Sequence, residues 1–283
     1  MAATPILVSA AVLGGVSTFF GACIAFANRK LKVWEDPRIG EIEELLPGTN
    51  CGACGTPGCR AFAEALNDGD REPAGCTVMG EDEREDVASF LGVDAGEADK
   101  VIARLLCAGG SDVAVQKAEY AGHQTCQAAT AVSGGGKGCT WGCLGLGDCD
   151  VACDFDAIHM GSDGLPVVAP DLCTACSDCV DVCPKDLFTL MPIDQKLIVQ
   201  CKSLLEGNEA QDLCDVACTG CGICAKDADQ GVIEIVDGLA VVDYQLNHKA
   251  APVAAERCPT NAILWVNGAQ FPDQQVHKSG IEV

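Results

Sequence analysis

The residues of this sequence whose types and spacing could do chemistry are its cysteines, of which it has 21 in 283 residues. Many of them stand in tight C-x2-C runs with glycine or other small residues between them. Cysteine at this density indicates either a disulfide scaffold or metal clusters, and disulfide frameworks are typical of small secreted domains with irregular spacing. Because cysteines this close together seldom pair with each other, the spacing favours metal binding.

The first group of cysteines follows the pattern C-x2-C-x4-C-x16-C and consists of Cys51, Cys54, Cys59 and Cys76. Glycines between them allow the backbone to wrap closely around a cluster and to present N–H groups to its sulfurs. A structural zinc site, the alternative, usually places its four cysteines in two distant C-x2-C pairs. The arrangement here therefore predicts a 4Fe–4S cluster, and RAFAEAL at residues 60–66 predicts a short helix.

The chain contains an internal repeat from residue 126 onward, with a constant offset between the copies. The corresponding cysteines are Cys126, Cys139, Cys143 and Cys149 in the first copy and Cys201, Cys214, Cys218 and Cys224 in the second. With a small slip, GLPVVAPDL corresponds to GLAVVDYQL, and Cys183-Pro184 corresponds to Cys258-Pro259. Each copy is predicted to be a small ferredoxin-like module with a cysteine loop, a short strand pair and a second cysteine loop.

The motif of a two-cluster ferredoxin predicts the ligands of the first copy, because the fourth cysteine of each motif ligates the other motif's cluster. One predicted 4Fe–4S site consists of Cys153, Cys173, Cys176 and Cys179. The complementary site contains Cys143, Cys149 and Cys183, but Leu146 stands where its middle ligand is expected. Cys139 is the nearest available substitute and is assigned as the remaining ligand.

The second copy is predicted to hold a single cluster, with Cys218, Cys221, Cys224 and Cys258 as ligands. A second cluster would need cysteines at four positions that hold Ala228, His248, Ala251 and Ala254. Because every ligand of one cluster is present and every ligand of the other is missing, this half of the module has lost its cluster as a unit. The retained segment GLAVVDY suggests the hypothesis that the half-module now serves as a docking surface.

Five cysteines remain outside these sets, namely Cys23, Cys107, Cys126, Cys201 and Cys214. Cys23 lies in an apolar run and is interpreted as a small hydrophobic residue. The other four could ligate a fifth cluster, form two structural pairs or be buried thiols. Because Cys126 and Cys201 correspond in the repeat, the sequence predicts one shared structural role for these two residues.

A membrane anchor is predicted from Pro5 to Ala27, a stretch without a charged residue that is long enough to span the hydrocarbon core. Arg29, Lys30 and Lys32 follow, so the positive-inside rule places the bulk of the chain in the cytoplasm, anchored to the inner membrane by a single pass. A cleaved signal peptide is the alternative. It is disfavoured because no basic residue precedes the run.

The charge of the chain is strongly acidic, with 18 Lys and Arg against 41 Asp and Glu. This balance argues against nucleic acid as a partner, because phosphate binding needs a basic surface. It is explained either by solubility or by steering towards basic docking patches. We find no Ser/His/Asp, Cys/His or metal-hydrolase constellation, so no complete active site is predicted in this chain alone.

The predicted fold class is α+β, with a transmembrane helix, a small helical 4Fe–4S domain and tandem bacterial-ferredoxin-like modules. The predicted divisions are an anchor (1–28), a 4Fe–4S domain (29–92), a connecting segment (93–135), a two-cluster module (136–192), a degenerate one-cluster module (193–266) and a tail (267–283).

The combination of the apolar helix with LLPGTNCGACGTPGC, KGCTWGCLGLGDCDVACDFDAI, CTACSDCVDVCP and ACTGCGIC resembles the B subunit of Rnf-type ion-translocating oxidoreductases, in its long form. The resemblance extends to about residue 265. Asp154 departs from the family pattern, which has proline there, and so does the missing last cluster.

This resemblance implies an iron–sulfur subunit that takes electrons from reduced soluble ferredoxin and passes them through a membrane complex that couples ferredoxin:NAD oxidoreduction to ion movement. It implies the other subunits of that complex and a soluble ferredoxin as partners. The alternatives are a ferredoxin-like subunit of another membrane oxidoreductase and a cluster-based redox sensor.

Overall fold

The computed structural model describes residues 3–31, 36–96, 100–272 and 276–277. Its first element is the apolar helix α1, Ala3–Lys30. Within these described residues, α1 is the one helix long and apolar enough, by length and composition, to cross a membrane. Large side chains such as Phe19 and Phe26 are exposed on it. An apolar surface of this kind marks a site of protein or membrane interaction, which agrees with the predicted anchor.

A small helical domain contains α2 (Pro37–Leu45), α3 (Cys59–Asn67) and α4 (Glu81–Leu91). The carboxylate of Asp36 accepts a hydrogen bond from the N–H of Arg38 at 3.0 Å and caps the start of α2. The three helices enclose a core that contains Ile42, Phe62 and Val87. The helix predicted for residues 60–66 is confirmed by α3.

The first unit, residues 101–192, contains four strands, three short α-helices and a 3-10 helix (Ser133–Gly136). They are β1 (Val101–Leu105), α5 (Cys126–Ala131), α6 (Asp148–Val151), β2 (Ile158–Gly161), β3 (Pro166–Val168), α7 (Asp178–Val182) and β4 (Phe188–Pro192). β1 pairs with β4 and β2 pairs with β3, both antiparallel.

The second unit, residues 197–265, repeats this arrangement. It contains β5 (Leu197–Val199), α8 (Gly207–Gln211), α9 (Ile223–Asp227), β6 (Ile233–Val236), β7 (Leu239–Val242), α10 (Val253–Glu256) and β8 (Ile263–Trp265). β5 pairs with β8 and β6 pairs with β7, again antiparallel. In both units the outer pair therefore joins the first strand to the last, and the inner pair is a hairpin between two short helices.

Two segments outside the predicted modules complete the first unit. The segment 93–135, predicted as a connection, supplies β1, whose residues pair with β4 along its whole length. In the segment 267–283, predicted as a tail, the Gln270 amide bonds both backbone groups of Leu105, accepting its N–H at 3.0 Å and donating to its carbonyl at 2.6 Å. The same segment contributes β9 (Val276–His277), which pairs with β2.

Candidate metal centres

All 21 cysteines are free thiols in the structure. Cys23 is exposed on α1, and the others form five groups of four that are described in turn below. Each of four groups lines a cavity of its own. In the remaining group, the second, burial and then the negative charges of three neighbouring thiolates raise the pKa of the fourth cysteine. Three groups have the predicted members and two do not.

The first group lies in the small helical domain and consists of Cys51, Cys54, Cys59 and Cys76, as predicted. The loop before α3 is held by Asn50, whose Oδ1 accepts the N–H of Cys59 at 2.8 Å. Gly58 has φ +155°, and a Cβ there would lie 2.8 Å from the same oxygen, so the loop requires glycine at this position. Burial is the main cause that raises the pKa of Cys76.

The second group lies in the first unit and consists of Cys153, Cys173, Cys176 and Cys179, again as predicted. Burial and then the neighbouring thiolates raise the pKa of Cys179 to about 12. The backbone contributes hydrogen-bond donors to the sulfurs. The N–H of Ala103 in β1 donates to Cys173 Sγ at 3.4 Å, and the N–H of Ala157 donates to Cys153 Sγ at 3.4 Å.

The third group differs from the prediction. Its cavity is lined by Cys126, Cys143, Cys149 and Cys183, whereas Cys139 lines a different cavity. The cause is a contact that the spacing of the cysteines does not encode. The carboxylate of Asp148 accepts the N–H groups of Cys126 at 2.9 Å and Gln127 at 3.2 Å, which fixes the start of α5 beside α6. This contact places Cys126 beside Cys143, Cys149 and Cys183, where the sequence-based assignment had Cys139.

The fourth group lies in the second unit and consists of Cys218, Cys221, Cys224 and Cys258, as predicted. Its cavity is closed by apolar residues, among them Ile235 and Ile263. Burial is the first cause that raises the pKa of Cys224, to about 11.

Two of the four positions without cysteines in the second unit, Ala228 and Ala254, belong to its hydrophobic core. Ala254 is buried, and Ala228 and Leu246 pack against the same core. Arg257 forms an ion pair with Asp227, which joins the ends of α9 and α10. His248 is exposed at the end of a 3-10 helix. Apolar side chains thus stabilise the fold in this half of the unit without metal ligands.

The fifth group contains three of the cysteines whose role the sequence left open and one, Cys139, that was assigned to another site. Cys107, Cys139, Cys201 and Cys214 line one cavity between the two units. Cys126 and Cys201, for which the repeat predicted one shared structural role, line different cavities.

The donor sets fit iron–sulfur clusters. In the part of the chain that the structure describes, no group of three or more His, Cys, Asp or Glu side chains is arranged to hold a metal ion. The thiols instead stand around cavities, with backbone N–H groups directed at several sulfurs, and this is the environment that a cluster of several iron atoms needs. Because burial disfavours a bare thiolate, a cationic cofactor would offset that cost.

Comparison with known protein families supports this description for the first group. Residues 46–78 match the family model FeS, whose description is "Putative Fe-S cluster". The match contains all four cysteines of the first group.

Curated relatives cover most of the chain. The B subunit of the Na(+)-translocating ferredoxin:NAD(+) oxidoreductase complex from Acetobacterium woodii is 40% identical over 91% of this chain and 77% of the relative. The B subunit of the ion-translocating oxidoreductase complex from Methanosarcina acetivorans is 36% identical over 90% of this chain and 96% of its own length. The B subunit of the proton-translocating ferredoxin:NAD(+) oxidoreductase complex from Clostridium ljungdahlii is 36% identical over 93% of this chain and 94% of the relative. The chain therefore belongs to the family of B subunits of ion-translocating oxidoreductase complexes, an iron–sulfur family of electron-transfer subunits.

Proposed function

We propose that this chain accepts electrons from a reduced soluble ferredoxin and passes them towards NAD-linked subunits of a membrane complex that moves ions. The observation that carries the proposal is the presence of separate groups of four cysteines, each enclosed by its own part of the fold. The names of two relatives, which include ferredoxin and NAD, support the donor and the acceptor.

We infer that the cofactors are 4Fe–4S clusters and that four groups hold one cluster each. The ligand sets are Cys51, Cys54, Cys59 and Cys76; Cys153, Cys173, Cys176 and Cys179; Cys126, Cys143, Cys149 and Cys183; and Cys218, Cys221, Cys224 and Cys258. The third set replaces Cys139 of the sequence-based assignment with Cys126. When bound, such clusters take up and release single electrons.

The protein's own contribution is to hold the thiols, exclude water and place donors and charges around the sulfurs. The backbone N–H groups of Ala103 and Ala157 donate hydrogen bonds to sulfurs of the second group. The N–H of Leu187 donates to the sulfur of Cys183, in the third group, at 3.5 Å. Apolar residues such as Phe188 close the cavity of the third group. The N–H donors stabilise the thiolate form that a cluster requires, and the apolar residues exclude water.

We infer that the two units are tandem ferredoxin-like modules. The support is the repeated strand pairing, in which β1–β4 and β5–β8 are outer pairs and β2–β3 and β6–β7 are inner hairpins. The same positions relative to these strands carry cysteine loops in both units. On this interpretation β1 belongs to the first module, which therefore begins before the boundary that the sequence suggested.

We propose a single membrane pass with the remainder of the chain in the cytoplasm. The support is α1 together with Arg29 and Lys30 in its last turn. Ion movement is assigned to partner subunits, because the apolar stretch 5–27 has no Asp, Glu, Lys, Arg or His side chain that could act inside the membrane.

We infer that the half of the second unit without cysteine ligands is a docking surface for a partner subunit of the complex. Its interior is packed, so the fold does not depend on a second cluster. Its surface exposes the apolar side chains Val236, Val241 and Val253. Exposed valines on two strands and a helix of one half-module favour contact with another protein over contact with water.

The proposal is tested on the full chain, purified without oxygen in detergent. We expect iron and acid-labile sulfide in equal amounts, at about sixteen or more of each per chain, since each cluster contains four irons. The visible absorbance should bleach on addition of reduced ferredoxin, whereas NADH alone should leave it unchanged. Bound zinc with iron near zero would overturn the proposal, and bleaching by NADH alone would overturn the assignment of ferredoxin as the donor.

A further inference from the structure

We propose that Cys107, Cys139, Cys201 and Cys214 are the ligands of a fifth 4Fe–4S cluster, held between the two units. This inference rests on the proposed function, because it takes the other cysteine groups to bind iron–sulfur clusters. The four residues line one cavity, to which each unit contributes two thiols. Cys107 and Cys214 are buried there and Cys139 and Cys201 are half-buried, so none of them is a surface thiol.

The four thiols occupy equivalent places in the two units. Cys107 follows β1 by two residues, and Cys201 follows β5 by two residues. Cys139 precedes Cys143 by the same spacing as Cys214 precedes Cys218. The fifth group is therefore formed by two matching pairs that face each other across the boundary between the units.

The backbone hydrogen bonds at these positions match as well. After β1 the N–H of Leu106 donates to the carbonyl of Leu187 at 2.7 Å, and after β5 the N–H of Gln200 donates to the carbonyl of Ala262 at 2.7 Å. The two strand ends are joined directly, because the N–H of Ala108 donates to the carbonyl of Gln200 at 3.0 Å.

The two sulfurs at the strand ends accept equivalent pairs of donors. Cys107 accepts the N–H groups of Gly109 and Cys143. Cys201 accepts the N–H groups of Ser203 and Cys218. N–H groups stabilise the thiolates of iron–sulfur sites in this way, so the sulfurs of Cys107 and Cys201 are suited to bind iron.

One segment, which contains Val115, forms hydrogen bonds with both loops that carry Cys139 and Cys214. The N–H of Val115 donates to the carbonyl of Leu213 at 2.9 Å, and the carbonyl of Val115 accepts the N–H of Gly138 at 2.8 Å. A Cβ added at Gly109 would lie 3.1 Å from Cys214 Sγ and 3.7 Å from Cys107 Sγ, so a side chain there would press on sulfurs from both units.

Two polar side chains beside the cavity suit the negative charge and the sulfur acceptors that a cluster has once four thiolates bind it. Gln200 is 2% exposed, lines the cavity, and both atoms of its side-chain amide have no hydrogen-bond partner among the described residues. A buried N–H without an acceptor is costly, and the sulfurs of a bound cluster would accept a hydrogen bond from Nε2 of Gln200. Lys137 also lines the cavity, and its Nζ donates to the carbonyl of Gly109 at 2.5 Å. This ammonium would offset the negative charge of a cluster with four thiolates.

The test is made on the full chain, purified without oxygen, with iron and sulfide counted and the reduced protein examined by electron paramagnetic resonance. We expect about twenty irons per chain, about sixteen in C107A/C214A, and about twenty in the matched control C23A, whose cysteine lies on α1, with four irons per cluster. In Q200L the count should remain at about twenty, and the midpoint potential of one centre should shift.

The outcomes separate the inference from the proposed function. About sixteen irons in the parent and in C107A/C214A alike would overturn the fifth site and leave the other four intact. Iron near zero in the parent would overturn both. If C107A/C214A fails to fold, the iron count of C51A/C54A tests the fifth site instead, because that change removes two ligands of the first group in the separate helical domain. About sixteen irons in C51A/C54A support a fifth cluster, and about twelve overturn it.

Discussion

The sulfur of Cys107 accepts a hydrogen bond from the backbone N–H of Cys143 at 3.4 Å. Cys143 lines the cavity of the third group and Cys107 lines that of the fifth, so a single hydrogen bond connects the walls of two cavities. Cys201 and Cys218 repeat this relationship between the fifth and fourth groups. The fifth cavity is therefore connected by hydrogen bonds to the third group in the first unit and to the fourth group in the second unit.

The loop of the first group should depend on Gly58. In G58A we expect a loss of roughly 1–3 kcal/mol in the stability of the helical domain, because an alanine Cβ would lie 2.8 Å from Asn50 Oδ1 at a φ of +155°. About four irons per chain should be lost as well. The matched control is G40A in α2, where a Cβ meets nothing within 4 Å and alanine should be neutral or stabilising. Thermal unfolding and iron content measure both effects, and equal behaviour of the two variants would contradict the prediction.

The carboxylate of Asp148 should be needed to place Cys126. In D148A the N–H groups of Cys126 and Gln127 lose their acceptor, and we expect about 1–2 kcal/mol of destabilisation. We also expect the loss of the third cluster, measured as about four irons per chain. D212A, which changes an exposed aspartate at the end of α8, is the control. A D148A protein that keeps its full iron content would show that α5 does not rely on this contact.

The buried charge of Arg104 should raise the reduction potential of the second group. Arg104 is 1% exposed on β1, its Nη1 donates to the carbonyl of Gly268 at 2.7 Å, and its charge acts on Cys173. A nearby positive charge favours the more negative, reduced state, so R104M should lower the potential of one centre by tens of millivolts. R104K, which keeps the charge, should show a smaller shift.

Redox titration followed by electron paramagnetic resonance measures this difference for Arg104. Equal shifts in R104M and R104K would mean that packing rather than charge is responsible. The iron count must stay constant across the series, since the side chain of Arg104 is not a ligand.

The docking surface should depend on exposed valines of the second unit. Val241 and Val253 are 45% and 46% exposed, and V241D/V253D should weaken binding to partner subunits by roughly tenfold, which corresponds to about 1.4 kcal/mol. The control is V93D, which changes a valine that is 53% exposed next to α4. Co-purification with the complex and the iron content of the free subunit are the readouts. Unchanged assembly of V241D/V253D would argue against the docking role.

Local sequence determined the trios of neighbouring cysteines in three groups. In segments such as Cys51–Cys59, Cys173–Cys179 and Cys218–Cys224, short turns bring neighbouring thiols together whatever the rest of the chain does. The fourth ligands Cys76, Cys153 and Cys258 were predicted from motif and repeat, and the structure places them with those trios. The apolar run of α1 was also evident, because a membrane-spanning helix needs only length and composition.

Only the tertiary structure decided the places of Cys107, Cys126, Cys139 and Cys214. The repeat aligned Cys126 with Cys201, yet strand position makes Cys107 the counterpart of Cys201, because each follows the first strand of an outer pair. The carboxylate of Asp148 holds Cys126 at its cavity by accepting its backbone N–H. Cys139 lines the cavity that the two units share. Motif spacing specifies thiols that one loop presents together, whereas strand pairing and helix capping act between residues far apart in sequence, and no local pattern records which of those contacts will form.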